Sequence, residues 1–459
     1  MTSRDGAISR AEELFDSGEF LDILTQRVAI ESTSQEPERA SELDRYLRDN
    51  IGPCLEQELG CEWEILPNQL EAGPILIGER REGEGLPTVL VYGHGDTVRG
   101  QDDSWREGLK PWTVTVEGDR WYGRGTADNK GQHSINFAAL SAVLKERGDL
   151  GFNLRVLVET GEEIGSKGLR EFAATHKERL KADVLIASDG PRVKAERPTI
   201  FLGSRGNVNF SLSINARAGA HHSGNWGGLI SNPAVQLVNA IACLVDGKGR
   251  LQVEGIKPPP ISNAVRVALA DIEVDGGPDA PEIEPDWGAA GLTPNERVFA
   301  WNTLEILAME AGNPAAPVNA IPASARAICQ IRFIAGSDYE KFLDAIHAHL
   351  KMHGFGMVEV ASTRGAMAAT RTDLGDPWVA KGVASFTKTT GERPAVLPSL
   401  GGSIPNDVFT DILGMPTVWV PHSYAGCQQH APDEHALGPV LREGLRLMVG
   451  FYWDVGEKA

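Results

Sequence analysis

Five short stretches of this chain carry histidine or carboxylate side chains of the kind that bind divalent metal ions. Together they offer two histidines and several carboxylates, a donor set of imidazole and hard oxygen that suits zinc, manganese or cobalt. One carboxylate of the third stretch is left over and could serve as a general base. These residue types predict a two-metal hydrolase. The stretches are Gly93-His94-Gly95-Asp96, Gly125-Thr126-Ala127-Asp128-Asn129-Lys130-Gly131, Glu159-Thr160-Gly161-Glu162-Glu163, Ser188-Asp189-Gly190 and His430-Ala431-Pro432-Asp433-Glu434.

Short apolar runs precede three of these stretches. Residues 87–92, 152–158 and 183–187 are short, apolar and typical of buried parallel strands. In an open α/β sheet, ligands gather at the carboxyl ends of such strands. His94 and Asp189 each follow one of these runs directly. The pattern therefore predicts a single site at one edge of a sheet.

Each signal also has an ordinary structural explanation. Asp128 precedes a predicted helix and could be its N-cap. Glu162 and Glu163 could belong to a solvated loop, and Asp189 to a simple turn. The combination favours the metal site, because three successive strands end in ligand-type residues.

The histidine that completes the site stays open on spacing alone. His430 follows a predicted strand at residues 415–420, but His422 and His435 are rivals in the same region. Two other classes of site are excluded. Residues 161–167 lack the order of a phosphate-binding loop and carry two negative charges. No G-x-S-x-G elbow of a serine hydrolase is present.

The elements around these stretches predict an α/β catalytic domain interrupted by a smaller α+β domain. Near Arg205 the buried strands give way to strict alternation at 207–215 and 325–333, typical of half-exposed antiparallel strands. Residues 246–300 look like a long insertion of uncertain structure. The predicted boundaries are 1–205 and 373–459 for the catalytic domain and 206–372 for the smaller one. The predicted helices are 8–29, 41–59 with an interruption near Gly52-Pro53, 130–144, 167–174 and 232–245.

Composition narrows the class of protein. The chain has 459 residues and a net charge of −19, which argues against nucleic acid or an anionic membrane as a partner. Its five scattered cysteines predict no disulfide framework and favour a reducing cytoplasm. The first residues lack the apolar segment of a signal peptide. No apolar run approaches the roughly 20 residues of a membrane-spanning helix.

With these motifs in this order, the chain resembles the M20 family of dinuclear zinc peptidases and amidohydrolases. That family includes carnosinase-like dipeptidases, aminoacylase, succinyl-diaminopimelate desuccinylase and carboxypeptidase G. The resemblance implies a zinc-peptidase-like catalytic domain with a mixed, mainly parallel sheet. It also implies a smaller lid domain through which two chains form a homodimer. It implies two metal ions per chain, Zn²⁺ or else Mn²⁺ or Co²⁺. The implied ligands are His94, Asp128 and Asp189 for one ion and Asp128, Glu163 and His430 for the other.

The same resemblance implies the remaining site residues. Glu162 matches the family's general base, and Asp96 the carboxylate that orients a ligand histidine. His222, in Ala220-His221-His222-Ser223-Gly224, matches the lid histidine that reaches the partner's site, although the acidic residue usual before it is absent and His221 competes. Asn129 stands where some members have aspartate, with little expected effect on metal binding. The implied substrate-binding residues are Asn319, Arg332, Gly401, Gly402 and Ser403.

The function implied is hydrolysis of an amide bond by a metal-activated water with Glu162 as base. The substrate would be a dipeptide or N-acyl amino acid with a free carboxylate, which Arg332 and Asn319 would hold. Two alternatives stay open: a deacylase or desuccinylase rather than a dipeptidase, and a catalytically silent binding relative.

Overall fold

The computed structural model describes residues 2–70, 72–274, 281–363 and 365–457. Within that part of the chain, the largest sheet has eight strands, drawn from both ends of the sequence. Parallel and antiparallel neighbours both occur, so the sheet is mixed, as predicted. In spatial order its strands are Glu62–Leu66, Ile75–Arg80, Asn153–Glu159, Thr88–His94, Val184–Ala187, Thr417–Trp419, Thr199–Phe201 and Ala395–Leu397.

The middle of this sheet positions the predicted chemistry. Thr88–His94 runs parallel to both of its neighbours, Asn153–Glu159 and Val184–Ala187. Alternate residues of the strand enter two separate apolar cores, Val89 in one and Leu90 in the other. Burial on both faces explains why these strands read as unbroken apolar runs. Their three carboxyl ends lie side by side at one edge.

Helices cover both faces of the sheet. The helix Lys130–Arg147 packs against the first and last helices, Arg4–Asp16 and Gly438–Gly456, over one face. The α-helices are Arg4–Asp16, Glu19–Val28, Ala40–Arg45, Gly52–Leu59, Lys130–Arg147, Leu169–Thr175, Lys177–Leu180, Ser223–Trp226, Pro233–Leu244, Asn263–Leu269, Pro294–Phe299, Phe342–Met352, Pro377–Thr390 and Gly438–Gly456.

A second sheet is antiparallel and carries two helices, Pro233–Leu244 and Phe342–Met352, on its buried face. Its strand Ser324–Phe333 alternates between exposed and buried residues, as the sequence predicted. In the register of this sheet Asn207 lies opposite Arg332. In spatial order its strands are Thr303–Glu310, Ser324–Phe333, Gly206–Asn215 and Glu359–Ser362.

Short ladders connect the loops around these sheets. The paired strands are Gly203–Ser204 with Thr370–Arg371, His221–His222 with Ala320–Ile321, Pro191–Arg192 with Ser423–Tyr424, and Arg120–Tyr122 with both Thr115–Glu117 and His435–Leu437.

One helix prediction was wrong in detail. The helix predicted over residues 8–29 is broken at Gly18, whose φ of 88° is a left-handed conformation that ends one helix before the next begins. The interruption predicted near Gly52 takes the form of a π-helical turn, Tyr46–Ile51, between the α-helices Ala40–Arg45 and Gly52–Leu59. The Gly52 N–H donates to the Leu47 carbonyl in this wider turn.

The segment 246–300 contains the helices Asn263–Leu269 and Pro294–Phe299, while residues 275–280 lie outside the described residues. All five cysteines are free thiols. Among the described residues, no helix combines the length and apolar character needed to cross a bilayer. The boundaries after residues 205 and 372 stay a prediction.

Candidate metal centre and active site

Two groups of ligand-type side chains meet at the carboxyl edge of the parallel strands. Within each group, one potential ligand atom per residue lies within 4.8 Å of the others. Asp128 belongs to both groups, as a residue that bridges two metal ions would. The peptide bond between Asp128 and Asn129 is cis. The groups are His94, Asp128 and Asp189, and Asp128, Glu163 and His430.

The first group is centred on the buried imidazole of His94. Its Nε2 lies 3.1 Å from Asp128 Oδ1 and 3.7 Å from Asp189 Oδ2. Its Nδ1 lies 3.0 Å from the backbone carbonyl oxygen of Asp96 and 3.4 Å from Asp96 Oδ1. A ring held in this way presents Nε2 to a metal ion.

Asp96 has a second task that the sequence did not predict. Its two carboxylate oxygens accept hydrogen bonds from the backbone N–H groups of Glu162, at 3.2 Å, and Glu163, at 3.1 Å. Asp96 is fully buried. It therefore fixes the loop that carries both glutamates as well as the orientation of His94.

The second group contains His430. Its Nε2 lies 2.9 Å from Asp128 Oδ2 and 3.2 Å from Glu163 Oε2. Neither ring nitrogen of buried His422 has a hydrogen-bond partner among the described residues, and His435 Nε2 pairs with a tyrosine hydroxyl 2.7 Å away. Of the three candidate histidines, His430 is the one that the structure places against these carboxylates.

Glu434 holds the loop around Asp128. Its Oε1 accepts hydrogen bonds from the backbone N–H groups of Gly125, Ala127 and Asp128, at 3.0, 3.1 and 3.1 Å. Its Oε2 pairs with Arg124 Nη1 at 2.7 Å. In the sequence, Glu434 belongs to a ligand-bearing stretch but has no predicted role, because contacts with three backbone donors leave no pattern in side-chain spacing.

The first turn of the helix Lys130–Arg147 ties the Asp128 and Asp189 loops together. Asn129 Nδ2 donates to the Ser188 carbonyl at 2.8 Å. Gln132 Nε2 donates to the Ala127 carbonyl at 2.8 Å and lies 3.3 Å from the Gly190 carbonyl. Sequence reasoning missed Gln132, since a buried glutamine in a helix carries no motif.

Burial and mutual repulsion perturb the carboxylates. Burial raises the pKa of Glu162 well above its usual value. Burial and the negative charge of Asp128 raise the pKa of Glu163 to about 7 and that of Asp189 to about 6. Burial acts on Asp128 in the same direction, but hydrogen bonds from His430 and His94 outweigh it and lower its pKa. The site thus places several carboxylates close together where little water is present to stabilise their negative charge.

These residues fit a pair of divalent metal ions. Glu163 Oε1 is buried without a hydrogen-bond partner among the described residues, which is costly unless a cation binds it. Histidine nitrogen and carboxylate oxygen form a donor set that zinc accepts, and that manganese and cobalt accept too. Positive charge between the groups would also reverse the repulsion among the carboxylates.

A cavity of about 690 Å³ opens over both groups. Arg332 Nη1 donates to Ser403 Oγ at 2.9 Å, and Asn207 Nδ2 donates to the same oxygen at 3.1 Å. Ser403 Oγ in turn donates to the Arg205 carbonyl at 2.7 Å. Asn207 and Arg205 were not among the predicted binding residues. Predicted site residues in the cavity wall are Asp128, Glu162, Glu163, Asp189, Arg332, Gly401, Gly402, Ser403 and His430.

Two predicted site residues lie elsewhere. Among the described residues, His222 and Asn319 are exposed and do not line this cavity. They lie near each other, because the strands His221–His222 and Ala320–Ile321 pair and the Asn319 carbonyl accepts the Ser223 N–H at 2.9 Å. His222 Nδ1 accepts the Gly224 N–H at 3.1 Å. His221 is equally exposed.

A sequence model of the family described as Peptidase family M20/M25/M40 matches residues 90–454. Beta-Ala-His dipeptidase of Mus musculus is 31% identical over 271 residues, which are 56% of this chain and 55% of that protein. Cysteinylglycine-S-conjugate dipeptidase of Corynebacterium striatum is 33% identical over 202 residues, 44% of each chain. The chain spans about half the length of the curated relatives it matches.

The fold is similar over almost the whole chain. The crystal structure of human carnosine dipeptidase 1 matches with a TM-score of 0.79 at 23% identity and covers 98% of both chains. This similarity, together with the mixed sheet and its helices, confirms the predicted fold class.

Proposed function

Because the chain belongs to Peptidase family M20/M25/M40, we propose that it is a metallopeptidase or amidohydrolase. It would cleave one amide bond in a dipeptide or N-acyl amino acid that bears a free carboxylate. The observation that carries the proposal is Asp128, which is shared by two ligand groups and lines one cavity together with members of both. Glu162 and Arg332 line the same cavity, so a base and a cation face the space in which a substrate would lie.

In this proposal, His94, Asp128 and Asp189 hold one metal ion, and Asp128, Glu163 and His430 hold the other. Zn²⁺ fits this donor set, and Mn²⁺ or Co²⁺ could replace it. When bound, two such ions supply Lewis acidity that polarises water and a substrate carbonyl.

Glu162 acts as the general base. Among the described residues it stands outside both ligand groups, so its carboxylate is free to carry a proton. Glu162 removes a proton from the attacking water and returns it to the leaving amine. Burial raises its pKa and the charge of His94 opposes that rise, so this carboxylate accepts a proton more readily than an exposed glutamate does.

The substrate carboxylate binds at Arg332. A guanidinium offers a carboxylate two parallel hydrogen bonds, and the contact with Ser403 holds that guanidinium in place. Gly401 and Gly402 lack side chains, so the backbone of this loop can approach a substrate closely. A silent binding protein would need Arg332 but not Glu162, and this difference favours the enzyme.

We further propose a homodimer through the second sheet and its helices, in which His222 and Asn319 complete the partner's site. His222 would stabilise the oxyanion there. On the helix Pro233–Leu244 of this domain, Val235 and Val238 are neighbours on one face and are more than half exposed, at 58% and 52%. Clustered exposed apolar side chains are typical of interaction surfaces. The strand Thr303–Glu310 is also an exposed edge that a second copy could cover.

The proposal includes an organisation and a compartment. Residues 1–205 and 373–459 would form the catalytic domain, since both supply strands to the large sheet. Residues 206–372 would form the lid and dimerisation domain. Five free thiols are consistent with the proposed location of the protein in the reducing cytoplasm.

The test is metal content per chain, measured on protein purified without chelator and paired with hydrolysis of two substrate panels. One panel holds dipeptides and the other N-acyl amino acids, including N-succinyl compounds, each assayed with and without chelator. We expect two metal equivalents and turnover that chelation abolishes and Zn²⁺ restores. Faster turnover of the second panel would favour a deacylase or desuccinylase. Protein that binds no metal and hydrolyses neither panel would contradict the proposal.

A further inference from the structure

The cavity has a polar wall and an apolar wall. The polar wall is the network of Arg332, Asn207 and Ser403 described above. Five side chains of one contiguous apolar cluster also line the cavity: Val193, Phe299, Leu397, Leu400 and Ile404. Ile404 follows Ser403 at the carboxylate-binding end, and the other four make up the apolar wall.

One short loop connects the ligand groups to the guanidinium. Leu400 packs so closely over Gly190 that a Cβ at Gly190 would lie 3.0 Å from Leu400 Cδ2. Gly190 directly follows the ligand residue Asp189. Three residues beyond Leu400, Ser403 contacts Arg332. The loop therefore runs from the reacting end of the cavity to its carboxylate-binding end.

The two ends of the cavity determine which part of a substrate lies along this loop. The scissile carbonyl must lie at the ligand groups, and the free carboxylate must lie at Arg332. Between them stands the leaving residue, the amino acid that carries the carboxylate. Its side chain has the apolar wall beside it.

The segment 246–300 supplies the outer part of this wall. Phe299 ends the helix Pro294–Phe299, and its ring approaches the glycine loop, with Cε1 3.9 Å from the position of a Cβ at Gly401. Phe299 is half-buried, whereas Leu397 and Leu400 are almost fully buried behind it. A ring at the edge of an apolar surface can be covered further when a ligand binds.

We propose that this wall, Val193, Phe299, Leu397 and Leu400, selects substrates whose leaving residue has an apolar side chain of about the size of leucine. The inference rests on the proposed function and names the substrate class of that site. A glycine in this position leaves the wall uncovered. A charged side chain loses hydration without gaining a partner from these four residues.

The experiment compares Ala-Leu, Ala-Gly and Ala-Asp as substrates of the zinc-loaded full chain. Binding of free L-leucine and free glycine to the same holoenzyme is measured by calorimetry. The variants are Phe299→Ala, which removes the ring, and Val193→Thr, which keeps the volume and adds a hydroxyl to the wall. Phe355→Ala is the matched control, because Phe355 is half-buried against the second sheet and does not line the cavity.

We expect kcat/KM for Ala-Leu to exceed that for Ala-Gly at least about tenfold, mainly through KM. Phe299→Ala or Val193→Thr should shrink this ratio several-fold, chiefly through a higher KM for Ala-Leu, while the Phe355→Ala ratio stays unchanged. Equal turnover of Ala-Leu and Ala-Gly would overturn this inference but not the proposed function. A ratio that both wall variants leave unchanged would do the same. If neither these dipeptides nor the N-acyl amino acids are hydrolysed the proposed function fails, and in every case without dipeptide hydrolysis calorimetry decides the wall. If leucine binds more tightly than glycine and Phe299→Ala abolishes the difference, the proposed selectivity of the wall is supported. Equal binding of leucine and glycine would overturn it.

Discussion

At the scale of single residues, the proposed mechanism gives two adjacent glutamates different tasks. Glu163 lies in a ligand group, 3.2 Å from His430 Nε2, whereas Glu162 lies in the same cavity wall outside both groups. Asp96 holds the backbone of both. Neighbours in sequence can therefore serve as ligand and base because one buried carboxylate fixes the loop between them.

Glu162→Gln separates the two tasks. An amide keeps the volume of the side chain but cannot accept a proton, so we expect two metal equivalents per chain and a fall in kcat of about 10²- to 10⁴-fold. Elemental analysis and steady-state kinetics on one preparation would measure both. The control is Glu178→Gln, on the exposed surface. Turnover near the wild-type value would remove Glu162 from the mechanism.

The perturbed carboxyls predict how pH affects stability. The pKa of Glu163 is raised to about 7 and that of Asp189 to about 6, mainly by burial, whereas both titrate near about 4 in an unfolded chain. Between these values the folded chain binds more protons than the unfolded chain, so its stability falls as pH rises. Metal ions bind the deprotonated ligands and should cancel this loss.

We therefore expect Zn²⁺ to raise the melting temperature of chelator-treated protein several degrees more at pH 7.5 than at pH 5.5, as read by scanning calorimetry. Hydrogen bonds to Asp128 and Glu163 raise the pKa of His430 to about 11, which acts in the same direction above about pH 6.5. Mg²⁺ is the matched control ion. A zinc shift of equal size at both pH values would argue against these carboxyls as ligands.

At the scale of elements, the site depends on how the helix Lys130–Arg147 begins. Its first turn reaches the Asp189 loop through Asn129, and the Asp128 loop folds back onto Gly131. The strands and this helix were predictable, because apolar runs and helical periodicity follow from local sequence. The π-helical turn Tyr46–Ile51 was not, since a single wider turn leaves helical periodicity almost unchanged.

Gly131→Ala tests this element. Alanine in place of glycine usually stabilises a helix by about 1 kcal/mol. Here the new Cβ would lie 2.0 Å from the Thr126 carbonyl oxygen, so the loop before Asp128 must shift. We expect a loss of about 1–3 kcal/mol in urea unfolding and a lower metal content.

The control for that variant is Gly247→Ala, in a loop where a Cβ would meet no atom within 4 Å. It should change the free energy of unfolding by less than about 0.5 kcal/mol. A stabilised Gly131→Ala chain with full metal content would show that the close approach to Thr126 does not constrain the site.

At the scale of the whole molecule, the cavity of one chain is incomplete for the proposed chemistry. His222 and Asn319 lie together on an exposed surface, apart from the cavity that holds Glu162 and Arg332 among the described residues. A second copy of the chain, related by two-fold symmetry, would bring the exposed pair of each protomer to the other's cavity.

Subunit complementation tests this arrangement. Glu162→Gln and His222→Ala chains should each be nearly inactive alone. After unfolding and refolding together, half of the dimers are mixed and each has one complete site, so we expect about a quarter of wild-type activity. Refolding with His221→Ala in place of His222→Ala is the matched control. Mixtures with no gain over the separate variants would show that His222 acts within its own chain or not at all.

The sequence by itself determined the chemistry that could occur and the elements that could carry it. The residue types of His94, Asp128 and Asp189 and their positions at strand and helix ends are local properties, so pattern and composition were enough. The alternating strand Ser324–Phe333 was predictable for the same reason, because one face is buried and the other is not.

Only the tertiary structure decided which residues meet. In the fold, His430 rather than His422 contacts Asp128, from which it is separated by 302 positions in the chain. Glu434 and Gln132 form hydrogen bonds that hold the loop around Asp128. Phe299, from a segment without a recognisable pattern, became part of the cavity wall. Such contacts depend on how sheets, helices and loops pack in space, and the spacing of residues along a chain does not record distances across a folded molecule.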